Sequence, residues 1–218
     1  MAAQPKKIIC TDLDGTILES RRAHATAFKL AFKKNNLPFR SSDEIVSLFG
    51  PPAETIIKRL YPKISKRKLE QTVKDKNNFV LKKTGILSKP IDGVVGALKE
   101  LRKHYKIALI SNSRHDEIIV LLKAAKISPR LFYVILGYGE TAPKPSKAIV
   151  KNIEKIAKGR VEFFIGDTIY DIKTGKAAGV KTVAVLSGIH DIKQLGDEDP
   201  TLIIENISVL PEILFGRL

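Results

Sequence analysis

Apolar positions change their spacing twice along this chain. Ile8, Ile9 and Cys10, followed by Leu13, form a short continuous run, the pattern of a strand buried on both faces of a parallel sheet. The spacing then turns helical at about 21–35, where Ala27, Phe28, Leu30, Ala31 and Phe32 fall near one face. Asn35-Asn36-Leu37-Pro38 stops that helix, and Ser41-Ser42-Asp43-Glu44 offers caps for a short one through Ile45, Val46 and Leu48. Phe49-Gly50-Pro51-Pro52 predicts a turn, with further helices at about 53–60 and 65–83. No strand pattern occurs between Glu19 and Ser88. From Pro90 onward, strands at about 107–110, 133–136, 161–165 and 182–186 alternate with helices at about 93–104, 117–125, 146–157 and 170–178, before an edge strand at 202–204 and a closing helix at 207–215. Such alternation is the signature of a parallel sheet with helical crossovers. The fold class is therefore α/β: a doubly wound, Rossmann-like core of residues 1–19 and 89–218, with an all-helical unit of residues 20–88 inserted after the first strand.

A chain of 218 residues can bury a full core, alone or with a small insertion. No apolar run reaches membrane-spanning length, and the N-terminal Met-Ala-Ala-Gln-Pro-Lys-Lys lacks the apolar stretch of a signal peptide. A cytoplasmic protein with no membrane partner is the expectation, as monomer or homodimer. Cys10 is the sole cysteine, which excludes an intramolecular disulfide and a Cys-rich zinc site. The formal charge of +15 invites a nucleic-acid reading. Its distribution changes the picture: residues 20–88 carry sixteen Lys/Arg against five Asp/Glu, and the remainder twenty-two against eighteen. A basic insertion steers anionic substrates, or is a solvated helical face. No nucleic-acid motif or aromatic platform accompanies it, so a small anionic metabolite is the expected partner and nucleic acid is not.

The candidate chemistry lies at strand ends. The first strand runs straight into Asp12-Leu13-Asp14-Gly15-Thr16, placing two carboxylates where open α/β sheets bind ligands and close enough to repel unless a cation joins them. Mg²⁺ prefers such hard oxygen ligands. A pair of turn carboxylates is the bland alternative. Ser111-Asn112-Ser113 offers a hydroxyl and main-chain N–H groups, or a turn cap. Lys144, between Pro143 and Pro145, is a cation on a stiff segment or a surface lysine. Gly166-Asp167-Thr168-Ile169-Tyr170-Asp171 sets two carboxylates four apart, as ligands or helix caps.

In that order the four segments resemble the motifs of the haloacid dehalogenase superfamily, mostly phosphohydrolases, and most of all its phosphoglycolate phosphatase-like group. The helical insertion resembles that superfamily's all-helical cap. The resemblance implies an Mg²⁺-dependent phosphatase acting on a small phosphate monoester, phosphoglycolate being the best single guess. It implies Asp12 as the nucleophile forming an aspartyl-phosphate and Asp14 as acid/base, with a pKa raised by its neighbours. Mg²⁺ would be held by Asp12, the main-chain carbonyl of Asp14, Asp167 and Asp171, while Ser111, Asn112 and Lys144 stabilise the transferring phosphoryl group. Dehalogenase relatives lack an Asp at position 14; phosphatases and phosphomutases keep it. His24 matches a His of sugar phosphomutase relatives and of many plain phosphatases, though a helical His is also a common structural residue. Gly50-Pro51 resembles a cap loop that faces the active site. Glu19-Ser20 stands where many relatives have Asp-Ser, and Lys144-Pro145-Ser146-Lys147 where many have Lys-Pro-x-Pro, which leaves the subfamily and substrate open. A sugar phosphomutase, or a catalytically weak basic scaffold that retains the fold, are the alternatives.

Overall fold

The computed structural model describes residues 6–216. Most of the N-terminal stretch read for a leader, residues 1–5, lies outside the described residues. In chain order the strands are β1 (Lys6–Thr11), β2 (Leu18–Glu19), β3 (Lys89–Pro90), β4 (Lys106–Ile110), β5 (Val134–Leu136), β6 (Gly159–Gly166), β7 (Lys181–Val185) and β8 (Leu202–Ile204). Six of them form one parallel sheet in the order β5-β4-β1-β6-β7-β8. β1 is central, and Ile8, Ile9 and Cys10 are fully buried because both sheet faces are covered. Ile9, Leu109, Phe163 and Val183 pack on one face, and Ile8, Cys10, Ala108 and Phe164 on the other. Each large apolar side chain so removed from water stabilises by about 1.5–3 kcal/mol. Because all six strands run the same way, their carboxyl ends share one edge, where Asp12, Ser111 and Asp167 follow β1, β4 and β6.

Four helices lie between β2 and β3: α1 (Arg21–Lys34), α2 (Ser42–Val46), α3 (Ala53–Leu60) and α4 (Lys66–Phe79). The short α2 begins with a reciprocal cap, in which Ser41 Oγ accepts from Glu44 N and Glu44 Oε2 accepts from Ser41 N. The four helices share a cluster of their own containing Phe28, Phe32, Ile45, Phe49, Ile57 and Leu60. Helix α1 serves both units, since its Ala23 and Ala27 pack into the main core. A buried ion pair also crosses from the insertion: Lys76 Nζ of α4 lies 3.0 and 3.2 Å from the two carboxylate oxygens of Glu117. The remaining helices are α5 (Val94–Leu101), α6 (His115–Ala124), α7 (Ala148–Ala157), α8 (Ile169–Ala177), α9 (Ile192–Gly196) and α10 (Leu210–Phe215). No helix among the described residues is long and apolar enough to cross a membrane.

Three local features differ from the sequence expectation. The fourth insertion helix stops at Phe79 and continues as a wide turn, Val80–Thr84, that keeps both end residues buried. The two junctions of the insertion pair as an antiparallel ladder, Leu18 with Pro90 and Glu19 with Lys89, too short to leave an alternating pattern. Helix α9 carries a capping box between Asp191 and Gln194, a polar signal without an apolar run to mark it.

Candidate active site

Two carboxylate groups form at the sheet edge, with different surroundings. In the first, Asp12, Asp167 and Asp171 are all buried, with ligand oxygens within 4.8 Å of one another. Lys144 joins them. Its Nζ lies 2.6 Å from Asp12 Oδ1 and 2.6 Å from Asp171 Oδ1, with its side chain 3% exposed. The lysine predicted as a stiff-loop cation is thus a buried bridge. Asp171 is held further by Thr168, whose Oγ1 donates at 2.5 Å and whose N donates at 3.1 Å to Oδ2. Asp167 accepts from Thr16 Oγ1 at 3.2 Å and from the Ile189 main-chain N–H at 3.0 Å.

Glycine makes this crowding feasible. Gly15 has φ of +81°, and a Cβ there would fall 2.4 Å from Asp167 Oδ2; a Cβ on Gly188 would fall 1.8 Å from the same oxygen. The Gly15 of the Asp-x-Asp-Gly-Thr segment is therefore required both by its left-handed backbone and by the carboxylate against it.

One lysine does not neutralise three buried carboxylates. Burial pushes Asp12 well above the usual carboxylate range; Lys144 opposes this, and Asp171, Asp167 and Asp14 add to it. Asp167 is pushed up to about 7 by burial and by Asp171, against the Ile189 N–H and Lys144. Burial works against charge on Lys144, but Asp12 and Asp171 overcome it and hold the ammonium more firmly than usual. An all-oxygen pocket short of positive charge fits a small, hard divalent cation such as Mg²⁺.

The second group centres on Asp14, whose carboxylate is not among the three. Ser20 Oγ donates to Asp14 Oδ1 at 2.5 Å, and His24 Nε2 lies 3.1 Å from the same oxygen. Ser113 Oγ and Ser111 Oγ approach Oδ2 at 3.2 and 3.4 Å. The expectation of a raised Asp14 pKa is corrected here. Burial alone would raise it, but the His24 charge and the hydrogen bonds from His24 and Ser20 hold it well below the usual range. His24 is buried at the foot of α1, edge-on to Phe49 with ring centroids 6.1 Å apart.

The Asn112 side chain joins two loops, donating to the Gly50 carbonyl at 2.8 Å and accepting from Lys144 N at 3.0 Å, which leaves its main chain as the group to meet a phosphate. Gly50 thereby faces the site across from β4. A cavity of about 110 Å³ is lined by Asp12, Asp14, His24, Phe49, Lys76 and Lys144 among others, and so by both the core and the insertion. Sequence reading missed Ser20, Ser113, Lys76, Glu117 and Thr168 at this site. Only Thr168 had a local signal, the Thr-x-x-Asp spacing of a capping box to Asp171.

A family model described as haloacid dehalogenase-like hydrolase matches residues 9–185. The pyrophosphatase PpaX of Oceanobacillus iheyensis is 26% identical over 211 residues, covering 92% of this chain and 93% of that protein. A phosphoglycolate phosphatase of Aquifex aeolicus is 27% identical over 187 residues, covering 84% and 85%. Among solved structures, a hydrolase of the haloacid dehalogenase-like family from Streptococcus pneumoniae superimposes with a TM-score of 0.82 at 20% identity over the whole of both chains. That last likeness is one of fold.

Proposed function

The chain belongs to the haloacid dehalogenase-like hydrolase family, and on that premise we propose that it is an Mg²⁺-dependent phosphatase of small phosphate monoesters. The observation that carries this reading is the Lys144 bridge between Asp12 and Asp171 beside Asp167: a carboxylate at a strand end, fixed by one cation, next to further oxygen ligands. Asp12 is the nucleophile. Its oxygen attacks phosphorus as the leaving oxygen departs, and water then cleaves the aspartyl-phosphate, so one hard displacement becomes two easier ones. Lys144, the Ser111 hydroxyl and the main chain at Asn112 stabilise charge on the phosphoryl oxygens. Mg²⁺ would be held by Asp12, Asp167, the main-chain carbonyl of Asp14 and, directly or through water, Asp171. When bound it supplies positive charge to this oxygen-rich pocket.

Asp14, kept ionised by His24 and Ser20, is set to take the proton of the hydrolytic water. Protonating the leaving oxygen requires Asp14 to carry a proton, and His24, 3.1 Å from its Oδ1, is placed to pass one to it. We read residues 20–88 as a cap over the cavity, with Gly50 and His24 as its contributions to the site. Phosphoglycolate and pyrophosphate, named for relatives at 26–27% identity, are the first substrates to try.

Turnover of p-nitrophenyl phosphate with and without EDTA tests the class: activity lost in EDTA and restored by Mg²⁺ supports it, and full activity in chelator rejects it. Metal binding should also appear in stability. Asp12 and Asp167 ionise near pH 4 when unfolded but higher when folded, Asp167 at about 7, so above about pH 4 the metal-free folded state holds protons that the unfolded state has lost. Its stability therefore falls as pH rises from about 4 through 7. Because Mg²⁺ binds the ionised carboxylates, it should raise the melting temperature more at pH 8 than at pH 5; an equal rise at both would reject the ligand set.

For Asp14→Asn the expected loss depends on the ester. Alkyl phosphates, which need a protonated leaving oxygen, should slow by about 10²–10⁴-fold, and p-nitrophenyl phosphate by much less. Equal losses on both would remove Asp14 from proton transfer.

A further inference from the structure

Among the described residues, each cation lining the cavity already faces a carboxylate. Lys144 is held by Asp12 and Asp171. Arg21 is held by Glu19 and reaches the Gly188 carbonyl. Arg114 makes two contacts of 3.1 Å with Asp116. Lys76, which points into the cavity from α4, is held by Glu117 of α6.

The last pair differs from the two arginine pairs in burial. Arg21 and Arg114 are 43% and 55% exposed, whereas Lys76 and Glu117 are 4% and 1% exposed. Glu117 also accepts from the Arg114 main-chain N–H at 3.3 Å. The cavity wall also carries apolar side chains, Phe28, Phe49, Ile56 and Val73 among them, and Lys76 Nζ stands 5.5 Å from the centre of the Phe28 ring. A substrate carboxylate would have to share Lys76 with Glu117, as Asp12 and Asp171 share Lys144. That leaves one of two buried carboxylates without a full counter-charge, and among the described residues no further metal ligands stand beside Lys76. An uncompensated buried carboxylate is strongly unfavourable, so the lysine's charge is not available to a second anion.

Resting on the phosphatase reading, we propose that Glu117 is a specificity-determining residue: by neutralising Lys76 it makes the cavity select phosphate monoesters whose leaving alcohol is uncharged. The phosphoryl group meets Lys144 and the metal ligands. The remainder of the substrate meets an apolar wall and a closed ion pair, surfaces that accept a neutral group and leave a carboxylate without a partner. Esters carrying a second anion, phosphoglycolate included, are then the poorer substrates.

The decisive comparison is phosphoglycolate against its amide, which has nearly the same shape and lacks the carboxylate charge. With wild-type enzyme in Mg²⁺, kcat/KM should be at least tenfold higher for the amide; equal values or a preference for phosphoglycolate overturn the proposal. If neither ester nor p-nitrophenyl phosphate is hydrolysed, the phosphatase reading itself falls, and this one with it. Glu117→Gln then tests the residue. It leaves Lys76 without its counter-charge, so the phosphoglycolate-to-amide ratio of kcat/KM should rise at least tenfold, whereas a merely structural Glu117 would lower both values and leave the ratio unmoved. Should Glu117→Gln fail to fold, the double variant Lys76→Gln/Glu117→Gln removes both charges together. It should keep the wild-type preference for the amide, and a swing to phosphoglycolate would overturn the proposal.

Discussion

Asp12→Asn is expected to lower kcat by about 10⁴-fold or more, the scale of removing a catalytic nucleophile, while the fold persists. The amide is nearly isosteric with the carboxylate and stays beside Lys144, but it is a poor nucleophile. The substitution also removes a buried carboxylate whose ionisation is opposed by burial and by Asp171, Asp167 and Asp14, so the metal-free variant should be no less stable than wild type at pH 8. Steady-state turnover of p-nitrophenyl phosphate and urea unfolding check the two halves. Turnover within tenfold of wild type, a barrier change under about 1.4 kcal/mol, would take the nucleophile assignment from Asp12.

Lys144→Met should damage both activity and stability. The lysine touches Asp12 and Asp171 at 2.6 Å each, so without it those buried carboxylates repel one another with no cation between them. Removing one partner of a buried ion pair costs about 3–5 kcal/mol. The loss has a pH signature. Protonating the carboxylates relieves the repulsion, so the deficit against wild type is largest at pH 8 and shrinks toward pH 5, and Mg²⁺ should recover part of it. Activity is expected to fall by about 10²–10³-fold, as for loss of one preorganised donor to a developing oxyanion. Unfolding midpoints at the two pH values and single-substrate kinetics are the measurements; a variant as stable as wild type at pH 8 would show that the bridge is dispensable.

The sheet and its order of elements were legible because their signals are local. A β-branched run at Ile8–Ile9, periodic apolar residues in α1, and a polar segment at each strand end suffice to place Asp12, Ser111 and Asp167 along one edge once the strands are parallel. Nothing local reveals that Asp14 is held ionised. That depends on Ser20 and His24 at the start of α1 outweighing the burial that works against the charge, a balance that no spacing reports. Lys76 and Glu117 were invisible because they are 41 residues apart, Lys76 on a helix whose sequence reads as charged and Glu117 in a first turn, where an acidic residue is ordinary. The tie from the Asn112 side chain to Gly50 and Lys144 was likewise not legible, because it joins segments 62 and 32 residues away.

The two-stranded ladder at Leu18–Glu19 and Lys89–Pro90 gives the chain a topology that a much shorter protein would share. Paired antiparallel strands lie about 5 Å apart, so everything from residue 20 to residue 88 occupies the place of a hairpin loop. Closing such a loop grows costly only with the logarithm of its length, by about 0.6 kcal/mol per doubling. Lengthening a four-residue turn to this span therefore costs about 2–3 kcal/mol, an amount that burial of two side chains such as Phe28 and Ile57 offsets. Insertions of many sizes and sequences can be exchanged at this point while β1, β4 and β6 keep their register, which lets the walls of the cavity diversify independently of the carboxylates that do the chemistry.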